Sequence, residues 1–222
     1  VSGEWSYGTT RHSRVLWVGG YLGWVLIWIN GPFGVGKTQT AFELHRRLPG
    51  SVVCDPENVG YGLHRTMPAA LRSDFQDLSS WRHGVHEVLS LVLRGHQGPV
   101  IAPMTLVVPR YFAEIVGRLR EDGHDVRHFA LLAERATVLD RLRRRSRLGL
   151  TVDTFAEGKL DGCLDQLHRP EFAEHIRTDD LTVAQVAGRV ADSAGLSLTS
   201  PDGPVLGRLR RSVVGLRHIR IG

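Results

Sequence analysis

The stretch Gly31-Pro-Phe-Gly-Val-Gly-Lys-Thr38 constrains this chain more than any other. It follows an apolar run, Val25 to Ile29, and precedes a helix-like segment, Gln39 to Leu48. In a strand–turn–helix of this kind, glycines let the backbone amides from about Phe33 to Thr38 converge on a polyphosphate without Cβ clashes. The helix N-terminus adds its partial positive charge. The expected site is one for a nucleotide: Lys37 reaches the β- and γ-phosphates and the Thr38 hydroxyl sits on Mg²⁺. Gly31, Phe33, Gly34, Val35, Gly36 and Gln39 complete it. Lysine is scarce, with Lys37 and Lys159 the only two among 28 basic residues, so a lysine at this place is not a by-product of composition.

Beyond the loop, short apolar runs alternate with amphipathic ones. Strands are predicted at 25–30, 51–54, 99–103, 126–132 and 175–178. Helical patterns cover 37–48, 81–94, 109–121, 134–147, 153–168 and 182–194. Thr182 followed by Gln185 forms a capping box for the last of these. The alternation predicts an α/β fold: a parallel five-stranded sheet covered by helices on both faces, of the P-loop NTPase and small-molecule-kinase type. Residues 25–200 form the expected domain, with a lid at about 141–165. Residues 1–24, rich in Trp, Gly and Ser, read as an irregular N-terminal extension. The apolar run Val15–Ile29 is broken by Gly19, Gly20 and Gly23 and falls short of the roughly 20 residues a membrane span needs.

The fate of the γ-phosphate depends on acids elsewhere. A hydrolytic P-loop ATPase usually carries an Asp at the end of an apolar strand to hold the metal. The best strand for that role ends Ile101-Ala-Pro-Met-Thr105, with no carboxylate. Instead an acid follows the second strand, in Val52-Val-Cys-Asp55. Strand carboxyl ends open onto the ligand crevice of a parallel sheet, so Asp55 is expected there as the base that takes an acceptor hydroxyl's proton. The competing role is a cap on the turn at Pro56. Arg141 and Arg145 share a helix face within an arginine-rich segment and are expected to close over the phosphates, stabilising transferred charge. Arg65 and Thr105 are candidate substrate contacts; a solvated arginine and a plain strand-end threonine are the alternatives.

The net charge of +5 is local rather than global. Five arginines follow Asp202, the last acid; without them 23 basic residues match 23 acidic ones, and a neutral body argues against nucleic acid. Leu206, Leu209, Val213 and Leu216 line one stripe of a helix, with Arg210, Arg211 and Arg217 largely opposite. Such a tail over 201–222 suits either the surface of an anionic membrane or docking on its own domain. Two distant cysteines, Cys54 and Cys163, argue against a disulfide framework or zinc site and fit a reducing compartment.

From Leu26 onward the chain resembles the bacterial tunicamycin-resistance proteins. The segments that carry the resemblance are "INGPFGVGKTQTAFELHRRL", "DPENVGYGL", "FQDLSSWR", "APMTLVVPRYFAEIVGRLR", "HIRTDDL" and "LRHIRI". The resemblance implies ATP phosphates at Gly31, Gly36, Lys37 and Thr38. It also implies a cytoplasmic protein peripherally attached to the inner face of the membrane through residues near 204–220. Resistance to tunicamycin, a uridine-based nucleoside with a fatty acyl tail, is the implied role. It leaves the chemistry open between an ATP-dependent phosphotransferase acting on a drug hydroxyl, a sequestering protein and a nucleotide kinase.

Overall fold

β1 (Leu26–Asn30) has no exposed residue, as expected of a central parallel strand flanked by neighbours and covered on both faces. In the computed structural model, which describes residues 24–147 and 154–200 (without the side chains of 145–147 and 154–157), it is the middle of a five-stranded sheet. The order is β2-β3-β1-β4-β5, with β2 at Val52–Val53, β3 at Val100–Pro103, β4 at Val126–Leu132 and β5 at His175–Arg177. Every pairing is parallel: Leu26 aligns with Val100 and Val126, and Asn30 with Ala130.

Helix α1 (Lys37–Arg47) packs with α8 (Val183–Ser193), while α3 (Ser79–Gly95) packs with a helix running through α4 (Pro109–Phe112), a π-turn (Ala113–Gly117) and α5 (Arg118–Glu121). The right-handed crossover rule puts these two helix groups on opposite faces. After β1 the chain steps toward β2; after β3 it steps the other way, toward β4. The topological switch point therefore lies between β1 and β3, where open parallel sheets place their ligands. Helices α6 (Arg135–Arg147) and α7 (Thr154–Leu167) follow β4. The capping box at Thr182 and Gln185 is present, and all five predicted strands are found. The described chain ends beside Arg47, whose carbonyl accepts the Thr199 N–H at 2.9 Å, at the far end of α1 from the glycine-rich loop. The predicted extension over 1–24, but for its last residue, and the predicted tail over 201–222 lie outside the described residues.

One element differs from the sequence reading. The segment after Asp55 is helical, α2 (Glu57–Thr66), followed by 3-10 turns at Ala69–Leu71 and Phe75–Asp77. Gly60 and Gly62 disguised it, but Asp-Pro-Glu is a helix-start signal, and Asp55 Oδ1 indeed accepts the Glu57 N–H at 2.9 Å. Gly60 has a packing reason. A Cβ there would lie 2.5 Å from the Phe75 ring, whereas one at Gly62 would meet nothing within 4 Å. In thermal melts Gly62→Ala is expected to gain up to about 1 kcal/mol from helix propensity. Gly60→Ala should instead lose about 1–3 kcal/mol through overpacking.

Candidate active site

The glycine-rich loop is pressed into shape from behind. Gly31 has φ +143°, and a Cβ there would approach the Leu131 carbonyl oxygen to 2.7 Å. Gly34 has φ +81°, and its Cβ would sit 2.9 Å from Leu142 of α6. Both positions demand glycine, for backbone reasons and for space. Val35 is buried and its N–H donates to the Pro32 carbonyl at 3.3 Å. Gly36 caps α1 in the left-handed conformation, with no side-chain cap and no acidic residue in the first turn. The first-turn amides have no intrahelical acceptor and suit an anion. Lys37 is buried; its Nζ donates to the Pro32 carbonyl at 3.0 Å and stands 5.3 Å from the Phe33 ring centre. Thr38 and Gln39 follow in that first turn, half-buried. These residues fit a nucleotide's phosphates, with the Thr38 hydroxyl as the oxygen ligand a Mg²⁺ would take.

The loop's base is bolted to its neighbours. Asn30, fully buried, accepts the Gly31 and Leu106 N–H groups on Oδ1 at 2.8 and 2.9 Å, and donates from Nδ2 to the Leu106 carbonyl at 2.7 Å. Thr105 is placed differently from the substrate-facing hydroxyl expected of it. It is buried, and its Oγ1 donates to the Gly31 carbonyl at 2.8 Å. Its hydroxyl is spent holding the loop against the end of β3. Asn30 was missed in the sequence; a polar residue closing an unbroken apolar strand was the signal.

Asp55 follows β2 at the carboxyl edge of the sheet, and the Cys54 N–H still pairs with the Ile101 carbonyl at 2.9 Å. With β3 between them, β2 and β1 are two strand spacings apart, about 10 Å. A terminal phosphate and an acceptor alcohol fit such a gap. Asp55 also caps α2, so the capping role is real and coexists with its position. Arg65 is not brought to Asp55: it is exposed in the last turn of α2, eight residues past Glu57, hence about 12 Å further along the axis.

Beyond Asp55 stands a hydrogen-bonded frame. Trp81, fully buried, donates Nε1–H to the Pro56 carbonyl at 3.0 Å, and Gln76 Nε2 donates to the Thr105 carbonyl at 3.1 Å. Arg82 is buried, pairs with Glu114, donates to the Gln76 carbonyl at 2.6 Å and lies over the Tyr111 ring at 4.3 Å. The hydrogen bond from Arg82 holds the Glu114 carboxyl below its ordinary range. Tyr111 donates its hydroxyl to Asp77 at 2.8 Å. Sequence periodicity carried no sign of this frame, because it is built by residues 76–114 meeting across three elements.

Arg141 is also committed. Its guanidinium donates to the Val35 carbonyl at 3.3 Å, the Thr178 hydroxyl at 3.0 Å and the Thr178 carbonyl at 2.7 Å. In this state it clamps the loop to the end of β5 rather than reaching over the phosphates, and α6 is docked on Gly34 through Leu142 and Val138. The Arg145 side chain and residues 148–153, within the predicted lid, lie outside the described residues. Lys159 on α7 bonds Asp74 Oδ2 at 2.7 Å, linking α7 to the frame beyond Asp55. One turn on, Cys163 is buried; burial pushes its thiol up to about 11, with the positive charges of Lys37 and Lys159 opposing.

A parallel sheet ordered 2-3-1-4-5, with a glycine-rich loop between β1 and α1 and an aspartate after β2, defines a P-loop fold of the small-molecule-kinase type. The chain belongs to the family described as "AAA domain", whose profile matches residues 26–170, and to the family of the tunicamycin resistance protein of Deinococcus radiodurans. The structure of that protein is 35% identical, covering 79% of this chain and 99% of its own at a TM-score of 0.67. More distant likenesses concern the fold alone. A gluconokinase of Sinorhizobium meliloti is 14% identical over 86% of this chain and 97% of its own, at a TM-score of 0.53. A shikimate kinase of Bacteroides thetaiotaomicron is 17% identical over 78% and 99%, at a TM-score of 0.55. A search of curated proteins finds no match.

Proposed function

We propose that this protein is an ATP-dependent phosphotransferase acting on a hydroxyl of tunicamycin or a similar uridine-based nucleoside. The observation that carries it is the placement of carboxylates. Strand β3, beside β1, ends at Pro103, and Thr105 just after it is bonded to the loop, while Asp55 follows β2, one strand further out and about 10 Å from β1. That geometry favours an acceptor alcohol over a metal-held attacking water. The 35% identity to a tunicamycin resistance protein supports the choice of acceptor.

Loop amides and the Lys37 ammonium hold the β- and γ-phosphates of ATP, and Lys37 leaves the Pro32 carbonyl to do so. The Thr38 hydroxyl would help hold Mg²⁺, which would supply neutralising charge for the transfer. Asp55 takes the proton of the acceptor hydroxyl as its oxygen bonds to the γ-phosphorus, and ADP departs with the electrons of the broken P–O bond. Arg145, and Arg141 if it releases Thr178, stabilise the transferred group's charge as the lid closes. The frame of Gln76, Trp81 and Arg82 keeps the acceptor side rigid. Among the described residues no helix is long and apolar enough to cross a membrane. The basic amphipathic pattern near 204–220 supports peripheral contact with an anionic membrane, where an acylated nucleoside concentrates.

Mass spectrometry of tunicamycin after incubation with protein, ATP and Mg²⁺ tests the proposal, with UMP and other nucleoside monophosphates as parallel acceptors. A gain of one phosphate on the drug is expected. Unchanged drug in a stoichiometric complex would replace this reading with sequestration, and phosphorylation of UMP alone would replace it with a nucleotide kinase.

A further inference from the structure

The Asn30 amide grips the phosphate loop only in one of its two orientations. With Oδ1 toward the Gly31 and Leu106 N–H groups, Nδ2 faces the Leu106 carbonyl and, at 3.2 Å, His128 Nε2. Turned over, it would set its oxygen against a carbonyl and its NH₂ against two donors. His128 contributes to that choice only if Nε2 carries a lone pair, since a proton there would point at another donor. Its other nitrogen settles the matter: Nδ1 lies 3.0 Å from the Ala173 carbonyl, which can only accept, so Nδ1 holds the hydrogen. The ring cannot turn away, because Phe112 packs edge-on at 4.8 Å with Phe172 beyond it at 6.3 Å.

We infer that His128 is a positioning residue for the phosphate loop: through Ala173 and its own Nδ1 it presents a lone pair that fixes the Asn30 amide, and Asn30 fixes the first amide of the loop. A chain of hydrogen bonds thus runs from the segment before β5, across β4, into Gly31. Nothing in the loop motif requires it, and neither residue need touch nucleotide or acceptor. Burial is the main reason the ring stays neutral, pushing it down to about 4; the hydrogen bond to Ala173 opposes this, while Arg120 of α5 and His175 of β5 add to it. The sign of the consequence follows. The folded protein resists a proton that the unfolded chain accepts near its ordinary value of 6.5, so stability is fully present above that pH and falls toward pH 4. The loss amounts to roughly 300-fold in the folding equilibrium.

Two variants test the inference, which rests on the reading that this loop holds phosphates. His128→Gln keeps one donor and one acceptor; His128→Leu keeps neither. Amide exchange at Gly31 and Leu106, measured without nucleotide, is expected to quicken at least about tenfold in His128→Leu relative to Ile27 and Ile101 in the sheet interior. ATP affinity should weaken by a similar factor, and His128→Gln should restore both. The Gln variant should also lack the histidine share of the loss between pH 6.5 and 4, a readout that holds even if His128→Leu folds poorly. Exchange that quickens uniformly through the core, or a Gln variant no better than Leu, would overturn the inference. Failure of the unaltered protein to bind ATP would count against the proposed function alone, because the exchange measurement reads the loop without nucleotide.

Discussion

Asp55→Asn is expected to cut phosphoryl transfer by about 10²–10⁴-fold, the usual contribution of a positioned general base, while leaving ATP affinity within a few-fold. Asparagine is the informative replacement because Asp55 has two tasks. Its Oδ1 caps α2 by accepting the Glu57 N–H at 2.9 Å. Asparagine caps helices about as well as aspartate, so α2 and the frame beyond it should persist. What the variant loses is the ability to accept a proton. Single-turnover kinetics, with nucleotide binding measured separately, make the check. Unimpaired turnover would reduce Asp55 to its capping role and remove it from the chemistry.

Lys37→Met should have the next largest effect, a loss of about 10²–10³-fold in turnover, comparable to removing one preorganised charge contact from other active sites. The methionine stem can still lie along Phe33, so packing is nearly kept. Thermal stability is measured alongside, because the buried Lys37 ammonium also bonds the Pro32 carbonyl and lies beside the Phe33 ring. Loss of ATP binding and turnover with an unchanged melting temperature would set this lysine apart from a structural one. A fall in stability matching the fall in activity would show that the ammonium serves the fold.

The two central strands β1 and β3 were legible because parallel strands buried on both faces read as continuous apolar runs, and the helices between strands as periodic ones. Leu26 to Ile29 and Val100 to Ala102 are such cases. The helix after Asp55 was not, because Gly60 and Gly62 lower helix propensity, the former to leave room for Phe75. Of the site, the loop could be read directly, since its glycines, lysine and threonine act on a ligand by local backbone geometry. The sequence could not reveal how that loop is held. Asn30, Thr105, His128 and Arg141 meet it from four separate segments, and only the sheet order brings them together. Thr105 illustrates the limit: its place at a strand's carboxyl edge was foreseen, but whether its hydroxyl faced the cleft or the Gly31 carbonyl depended on packing.

The most direct test follows the label of γ-labelled ATP in the presence of the protein, Mg²⁺ and an acylated uridine nucleoside. If the loop aims the terminal phosphate at an alcohol beside Asp55, label accumulates on the extracted nucleoside in step with ADP. Label released only as inorganic phosphate, or an ATP pool left intact while the drug is bound, would contradict the account.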